Sequence, residues 1–96
     1  MVSDQHPVDE AKSLVYGNRN ADYGHPLDDF HKTALIWQAI LGVPVTEEQV
    51  ALCMVGVKIS RECNRPKRDN IVDGIGYFCT LHEVRVERER RAKHGH

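Results

Sequence analysis

Asp69 and Asp73, two carboxylates with four-residue spacing, are the pair in this sequence that points most directly to chemistry. On an α-helix this spacing places both side chains on one face, one turn apart. Like charges in that arrangement repel each other unless a positive charge lies between them. A divalent metal ion would supply that charge, and so would Lys58 and Arg61 of the preceding segment. The residues alone leave both alternatives open.

Neighbouring polar residues extend this pair into a candidate site. Asn70 and Tyr77 fall on the same side of the last helix, and the preceding segment ends with Lys58, Arg61 and Glu62. Helices joined by a short connector lie antiparallel, so the two charged ends meet. Carboxylates suit Mg²⁺ or Mn²⁺, which bind through a few such groups together with phosphate oxygens. The cations suit the phosphates themselves. This pattern predicts hydrolysis of a phosphoanhydride by positioning water and neutralising developing charge.

A purely structural network explains the same residues. In that interpretation Asp73 and Lys58 neutralise one another as a partly buried pair, and Asp69 only caps its helix. The polar connector over residues 17–26 leaves a similar choice. Its Arg19 and Tyr23 either contribute to a ligand site or belong to an ordinary surface turn.

Four helices would position these residues, and the sequence shows no strand-like alternation of any length. Prolines, glycines and capping residues place the helices at about 7–16, 26–41, 46–62 and from 69 onwards. The second helix carries an apolar stripe of Phe30, Ala34, Trp37 and Leu41. We therefore predict an all-α bundle of four helices over residues 7–86. A flexible N-terminus, 1–6, would precede it, and a charged, solvated extension, 87–96, would follow it.

The third helix is predicted to start at a capping box formed by Thr46 and Gln49. Its inner stripe is predicted to be Val50, Cys53, Met54 and Val57, while Leu52 and Val55 nearly complete an apolar circle. Few positions remain for solvent, so this helix is expected to be central and heavily covered.

Composition narrows the possible functions. The formal net charge of −1 argues against a general nucleic-acid binder. A nucleic-acid role for the basic turn Arg65–Arg68 is therefore the least favoured hypothesis. Three cysteines without a C-x-x-C spacing fit a reducing cytosol better than a disulfide framework. No apolar run approaches the roughly 20 residues of a membrane span, and the polar N-terminus does not resemble a signal peptide. We expect a cytoplasmic protein.

Several separated motifs between about residues 8 and 84 resemble a family of small phage and prophage proteins of unknown function. They are Tyr16-Gly17-x-Arg19-x-x-Asp22-Tyr23-Gly24-His25-Pro26, then Phe30, Ala34 and Trp37, then Val50-Ala51-Leu52-Cys53-Met54-x-x-x-Lys58-Ile59-x-Arg61, and Asp69-x-x-x-Asp73-x-x-Gly76-Tyr77. That family in turn resembles the all-α, MazG-like nucleoside triphosphate pyrophosphohydrolases. The resemblance implies a bundle of four or five helices that pairs into dimers or tetramers. It implies Mg²⁺-dependent cleavage of a (deoxy)nucleoside triphosphate to monophosphate and pyrophosphate.

MazG-like enzymes typically carry Glu-x-x-Glu on one helix and Glu-x-x-Asp on a later one. Here Asn70 and Asp73 approximate the second motif, and Glu62 is the acidic residue near the first. The resemblance assigns catalysis and metal binding to Asp69, Asp73 and Glu62, and substrate binding to Arg19, Tyr23, Lys58, Arg61, Asn70 and Tyr77. The predicted role is control of a phage nucleotide pool in the host cytoplasm. The alternative is a helical module that binds a nucleotide or a host protein without chemistry.

Overall fold

Four helices make up the part of the chain that the computed structural model describes, which is residues 4–17 and 23–94. They are α1 (Pro7–Tyr16), α2 (Pro26–Leu41), α3 (Glu47–Asn64) and α4 (Arg68–Lys93). No strand occurs within those residues, so the predicted all-α class is confirmed. None of these helices is long and apolar enough to cross a membrane.

Two His-Pro pairs start the first two helices in the same way. Nδ1 of His6 accepts a hydrogen bond from the backbone N–H of Val8 at 3.1 Å. His25 does the same for Leu27 at 3.0 Å. Each proline follows at the first helical position, where its missing N–H leaves no hydrogen bond unmade. His6 is thus the N-cap of α1, residues 1–3 lie outside the described part, and the flexibility of residues 1–6 stays a prediction.

Local signals also place the C-terminus of α2 and the N-terminus of α3 where the sequence predicted them. Gly42 ends α2 in the left-handed region, with φ of 72°, and its N–H donates to Gln38 O at 2.8 Å. The capping box that opens α3 is complete. The Gln49 N–H donates to Thr46 Oγ1 at 3.1 Å, and the Thr46 N–H donates to Gln49 Oε1 at 2.9 Å.

α4 is the central element, because α1, α2 and α3 all pack against it. The main core cluster joins three helices and consists of Phe30, Ala34, Val50, Ala51 and Leu81. Three partly buried residues pack around that cluster: Trp37, Val45 and Tyr77. The core position predicted for Trp37 is thus confirmed, whereas Leu41 of the same predicted stripe is exposed.

The covered face of α3 differs from the predicted one. Val50, Ala51 and Val55 are buried, whereas Cys53 and Val57, which were predicted to face inward, are exposed. Neighbours cover α3 on one side only, since α4 and α2 pack against the same half of its surface. The expectation of a heavily covered α3 does not hold within one copy of the chain.

The last turns of α4 are packed on one side only, since Glu89, Arg90, Ala92 and Lys93 are exposed. Glu87 is only 9% exposed, and α4 continues as a helix to Lys93. Arg88 reaches across to Glu47 and Glu48 at the start of α3. These ion pairs hold the end of α4 against the bundle. The alternating charges in this part of the sequence did not indicate such contacts.

Candidate functional site

The junction between α3 and α4 contains most of the residues predicted to carry chemistry. Glu62 Oε1 accepts hydrogen bonds from the backbone N–H of Lys67 at 3.0 Å and from Asn70 Nδ2 at 3.1 Å. These two bonds, the backbone one first, lower the pKa of Glu62. Asn70 Nδ2 also lies 3.4 Å from the carbonyl oxygen of Arg65. Glu62 and Asn70 therefore close the turn between the two helices.

Lys58 and Asp73 form the central ion pair of this junction. Lys58 Nζ lies 2.9 Å from Asp73 Oδ2, and the side chains are 14% and 38% exposed. The lysine is thus largely withdrawn from water, while one side of the aspartate stays accessible. The sequence offered either a divalent metal ion or Lys58 with Arg61 as the charge that neutralises the acidic pair. In the structure Lys58 lies beside Asp73.

Asp69 has a different environment from Asp73. It lies in the first turn of α4, but the N-cap is Lys67 and no side chain caps the helix, so the predicted capping role of Asp69 is wrong. Its side chain is exposed, and no described residue forms an ion pair with it. Asp69 is therefore the carboxylate of the pair that is available to a ligand.

A cleft of about 360 Å³ opens between the end of α3 and the start of α4. Eight residues line it: Lys58, Arg61, Asn64, Arg65, Lys67, Asp69, Asn70 and Asp73. Four of these side chains are cationic and two are acidic, which leaves an excess of two positive charges. No described carboxylate pairs with Arg61, Arg65 or Lys67. The adjacent Arg68 faces elsewhere, because its guanidinium binds Glu10 at 2.6 Å.

The backbone adds to the positive character of the cleft. The first N–H groups of a helix have no partner within the helix and carry the positive end of its dipole. At the start of α4 the side chain of the N-cap residue Lys67 makes no capping hydrogen bond, and the Glu62 carboxylate accepts from the Lys67 N–H alone. An anion held between Arg61 and Lys67 would lie close to this end of α4, an arrangement that favours phosphate groups.

An apolar groove of about 310 Å³ lies beside the cleft and shares Lys58 and Asn70 with it. Its remaining walls are mostly aliphatic and aromatic: Val55, Ile59, Glu62, Cys63, Ile71, Gly74, Ile75 and Phe78. Glu62 therefore lines the groove and not the cleft. The groove is nevertheless continuous with the polar junction, since Lys58 and Asn70 border both.

Two predicted substrate-binding residues do not line the cleft, and a third lies outside the described residues. Tyr77 is partly buried and packs against the core cluster. Tyr23 is exposed and does not line the cleft. Arg19 lies outside the described residues. Lys58, Arg61 and Asn70 line the cleft and Tyr77 does not, and their substrate-binding roles stay a prediction.

The predicted metal ligands do not form a metal centre by themselves. No group of three or more histidine, cysteine, aspartate or glutamate side chains within 4–17 and 23–94 is arranged to hold a metal ion. Glu62 is engaged in the turn, and Asp73 contacts Lys58. The donor set thus does not fit a resident Mg²⁺ or Mn²⁺, which needs several oxygen ligands in octahedral geometry.

A second charged cluster, at the opposite end of α3, was not predicted. Arg91 donates both terminal nitrogens to Asp28, at 2.8 and 2.9 Å, and its Nε donates to Glu87 at 2.7 Å. Arg90 and then Arg91 lower the pKa of Glu87 to about 2. Together with the Arg88 contacts, these bonds join α2, α3 and α4. The sequence signal was the spacing of Glu87 with Arg90 and Arg91 at i+3 and i+4, whereas Asp28 is 63 residues from Arg91.

These features define a small all-α protein with a cationic cleft at one helix junction. The chain belongs to the family described as "Domain of unknown function (DUF6378)", which it matches over residues 7–85. Similar proteins include the Gene 55 protein of Mycobacterium phage D29, 35% identical over 88 residues, and that of Mycobacterium phage L5, 32% identical over 87. These alignments cover 88% of this chain but 58% and 56% of the relatives. The chain thus spans little more than half the length of the curated relatives it matches.

The predicted resemblance to a phage family of unknown function is therefore confirmed. No solved structure matches the chain.

Proposed function

We propose that the protein binds a (deoxy)nucleoside triphosphate through its phosphate groups at the α3–α4 cleft. The observation that carries this proposal is the excess of two positive charges around the cleft, with Arg61, Arg65 and Lys67 unpaired by any described carboxylate. Guanidinium groups bind phosphate through two parallel hydrogen bonds, and ammonium groups bind it as point charges. The start of α4 favours the same ligand class, because its N-cap side chain makes no hydrogen bond and the positive end of the helix dipole adjoins the cleft.

Hydrolysis of the bound triphosphate to monophosphate and pyrophosphate is a second candidate function. It is favoured by Asp69, an exposed carboxylate at the edge of the cationic cleft without an ion pair to any described residue. A carboxylate in that position can orient a water molecule or accept its proton. Because the donor set does not fit a resident metal, Mg²⁺ or Mn²⁺ enters this proposal only as the counter-ion that the triphosphate brings with it.

The wider proposal comes from the resemblance to MazG-like enzymes. It comprises a MazG-like bundle, self-association, a location in the host cytoplasm and control of a phage nucleotide pool. The helical architecture and the relatives in phages support this context. Self-association has support of its own from the apolar side chains that α3 leaves exposed.

Isothermal titration with tripolyphosphate and with each (d)NTP tests the binding proposal. Arg61→Gln and Lys67→Gln are each expected to weaken triphosphate binding about tenfold, because each removes a charge-assisted contact. Arg85→Gln is the matched control, since Arg85 is exposed on α4 and does not line the cleft. Absence of binding up to about 1 mM ligand, a free energy near −4 kcal/mol, would reject the proposal.

Product analysis separates the two candidate functions. With Mg²⁺ and each (d)NTP, the hydrolase candidate expects release of monophosphate and pyrophosphate, and it expects Asp69→Asn to stop turnover while binding persists. If the wild-type protein binds triphosphate but releases no product, the hydrolase candidate is rejected and the binding function stands.

A further inference from the structure

The outward face of α3 is uncharged along its whole length. Nine exposed residues form it: Gln49, Leu52, Cys53, Gly56, Val57, Ile59, Ser60, Cys63 and Asn64. The charged residues of α3 beyond its first turn lie elsewhere. Lys58 pairs with Asp73, Glu62 binds the turn before α4, and Arg61 lines the cleft. A face without charge over four helical turns is unusual in a chain with 28% charged residues, and it indicates a surface that is covered by a partner.

Gly56 at the middle of this face has no explanation among the described residues of one copy. A Cβ atom built on Gly56 would meet nothing within 4 Å. Glycine in a helix interior is less favourable than alanine, and no described neighbour requires the small residue. Close approach of another helix would require it, because the interaxial distance depends on the side chains at the contact.

The area of this surface reaches the lower end of what a stable dimer needs. Leu52, Val57 and Ile59 belong to α3, and Ile71 and Phe78 continue the surface across the apolar groove that they share with Ile59. These five side chains are between 37% and 59% exposed. With the small residues between them they present on the order of 600 Å² per copy, against about 800 Å² per partner in a standard interface.

We infer that this face pairs with the same face of a second copy, with the two α3 helices antiparallel. This inference rests on the self-association in the proposed function. It adds which surface forms the interface and how the two helices are aligned, and it does not depend on nucleotide binding. The small residues Cys53, Gly56, Ser60 and Cys63 follow one another at spacings of 3, 4 and 3. These spacings are the same in both directions, so an antiparallel two-fold pair sets the small residues of one copy against those of the other.

An antiparallel pair centred at the level of Lys58 sets Gly56 against Ser60 of the second copy, and Cys53 against Cys63 of the second copy. It opposes the two helix dipoles. It also sends the two cationic clefts to opposite ends of the dimer. A parallel pair would align the dipoles and bring both clefts, each with its positive excess, to the same end.

Sedimentation velocity under reducing conditions tests the surface. The wild-type chain is expected to form a dimer, and Gly56→Arg is expected to raise the dimer dissociation constant on the order of 100-fold, because a charge would be buried unpaired. The variant should fold, since arginine is a good helix former and the position opens to solvent in the monomer. Ile36→Arg is the matched control: it places the same charge on an exposed apolar position of α2.

Cross-linking tests the register. In a Cys79→Ser background, oxidation by copper phenanthroline should yield a disulfide-linked dimer that requires both Cys53 and Cys63. Cross-linking by Cys53 alone or Cys63 alone would show a parallel or shifted pair and would overturn the register.

The other outcomes separate this inference from the wider proposal. A dimer that survives Gly56→Arg but not Ile36→Arg would keep self-association and overturn the α3 surface. A monomer at all concentrations would overturn both. Titration of Gly56→Arg with triphosphate reports on the cleft independently of either result.

Discussion

Removing either member of the Lys58–Asp73 pair should destabilise the fold to different extents. Asp73→Ala leaves the Lys58 ammonium, which is 14% exposed, without its carboxylate. An unpaired and largely buried charge is costly, so we expect a loss of about 2–3 kcal/mol. Lys58→Met keeps the aliphatic packing of the lysine stem and leaves an aspartate that is 38% exposed. Because water can solvate that carboxylate, the expected loss is only about 1 kcal/mol.

The double variant isolates the interaction itself. With neither charge present, no buried charge remains unpaired, so the double variant should lose only about 1–2 kcal/mol. The coupling free energy between the two side chains would then be about 2 kcal/mol. Urea unfolding followed by circular dichroism measures all four proteins. With a slope near 1 kcal/mol per M, Asp73→Ala should lower the midpoint by about 2–3 M. Protein concentration is kept constant, since a dimer links stability to concentration.

One pattern of results would refute this reasoning. If Asp73→Ala unfolds at the wild-type urea midpoint and yet loses nucleotide turnover, the carboxylate serves the ligand and its contact with Lys58 contributes little to the fold. Equal losses for the two single variants would also contradict the expected asymmetry, which follows from the different exposure of the two side chains.

Three further predictions concern caps and titrating groups. Thr46→Ala removes one half of the capping box and should cost about 1 kcal/mol, lowering the Tm by roughly 4–8 °C, whereas Lys32→Ala at an exposed position of α2 should leave the Tm nearly unchanged. The pKa of Glu87 is lowered from 4.5 to about 2 by Arg90 and Arg91, so its contribution to stability is present above pH 4.5 and is lost as pH falls towards 2. Urea midpoints measured across that range should show this loss in the wild-type protein and less of it in Glu87→Gln. Burial and then the hydrogen bond to Glu83 raise the pKa of Tyr16 from 10.0 to about 12, so its contribution is present below pH 10 and is lost as pH rises through 12. Absorbance of the phenolate should show one late-titrating tyrosine that is missing in Tyr16→Phe, and a titration without such a late step would contradict the assignment.

Helix ends were predictable because the chemistry that sets them is local. Pro7 and Pro26 fix the first helical positions, Gly42 adopts positive φ, and Thr46 exchanges hydrogen bonds with Gln49 three residues away. None of these signals depends on which helices become neighbours. The same locality explains one error. Asp69 is chemically suited to cap a helix, but Glu62 binds the Lys67 N–H from the preceding helix, and α4 begins one residue before Asp69.

The covered side of α3 was not predictable, because apolar residues occur nearly all round that helix. Val50 and Val57 are equivalent by residue type, yet one is buried and the other is exposed. Contacts between α4 and the starts of α2 and α3 were missed for a related reason. Arg88 and Glu47 are separated by 41 residues, and their meeting depends on the length and direction of the α3–α4 turn, which local spacing does not encode. For the site, the sequence offered a divalent metal ion or the Lys58 and Arg61 pair as the charge beside the two aspartates but gave no means of choosing between them.

Lys58 connects the fold to the ligand, and this gives Asp73 opposite effects on stability and on binding. An ammonium has three donors, so Lys58 can keep its bond to Asp73 while it donates to a phosphate oxygen in the cleft. Asp73 itself contributes negative charge to the cleft wall, which opposes a phosphate anion. Asp73→Ala should therefore destabilise the protein and yet bind tripolyphosphate slightly more tightly, whereas Lys58→Met should weaken that binding about tenfold. Titration calorimetry at low ionic strength, where surface electrostatics are strongest, measures both. If Asp73→Ala binds tripolyphosphate more weakly only when Mg²⁺ is present, the carboxylate contacts the phosphates through the ion. That result would favour the hydrolase candidate.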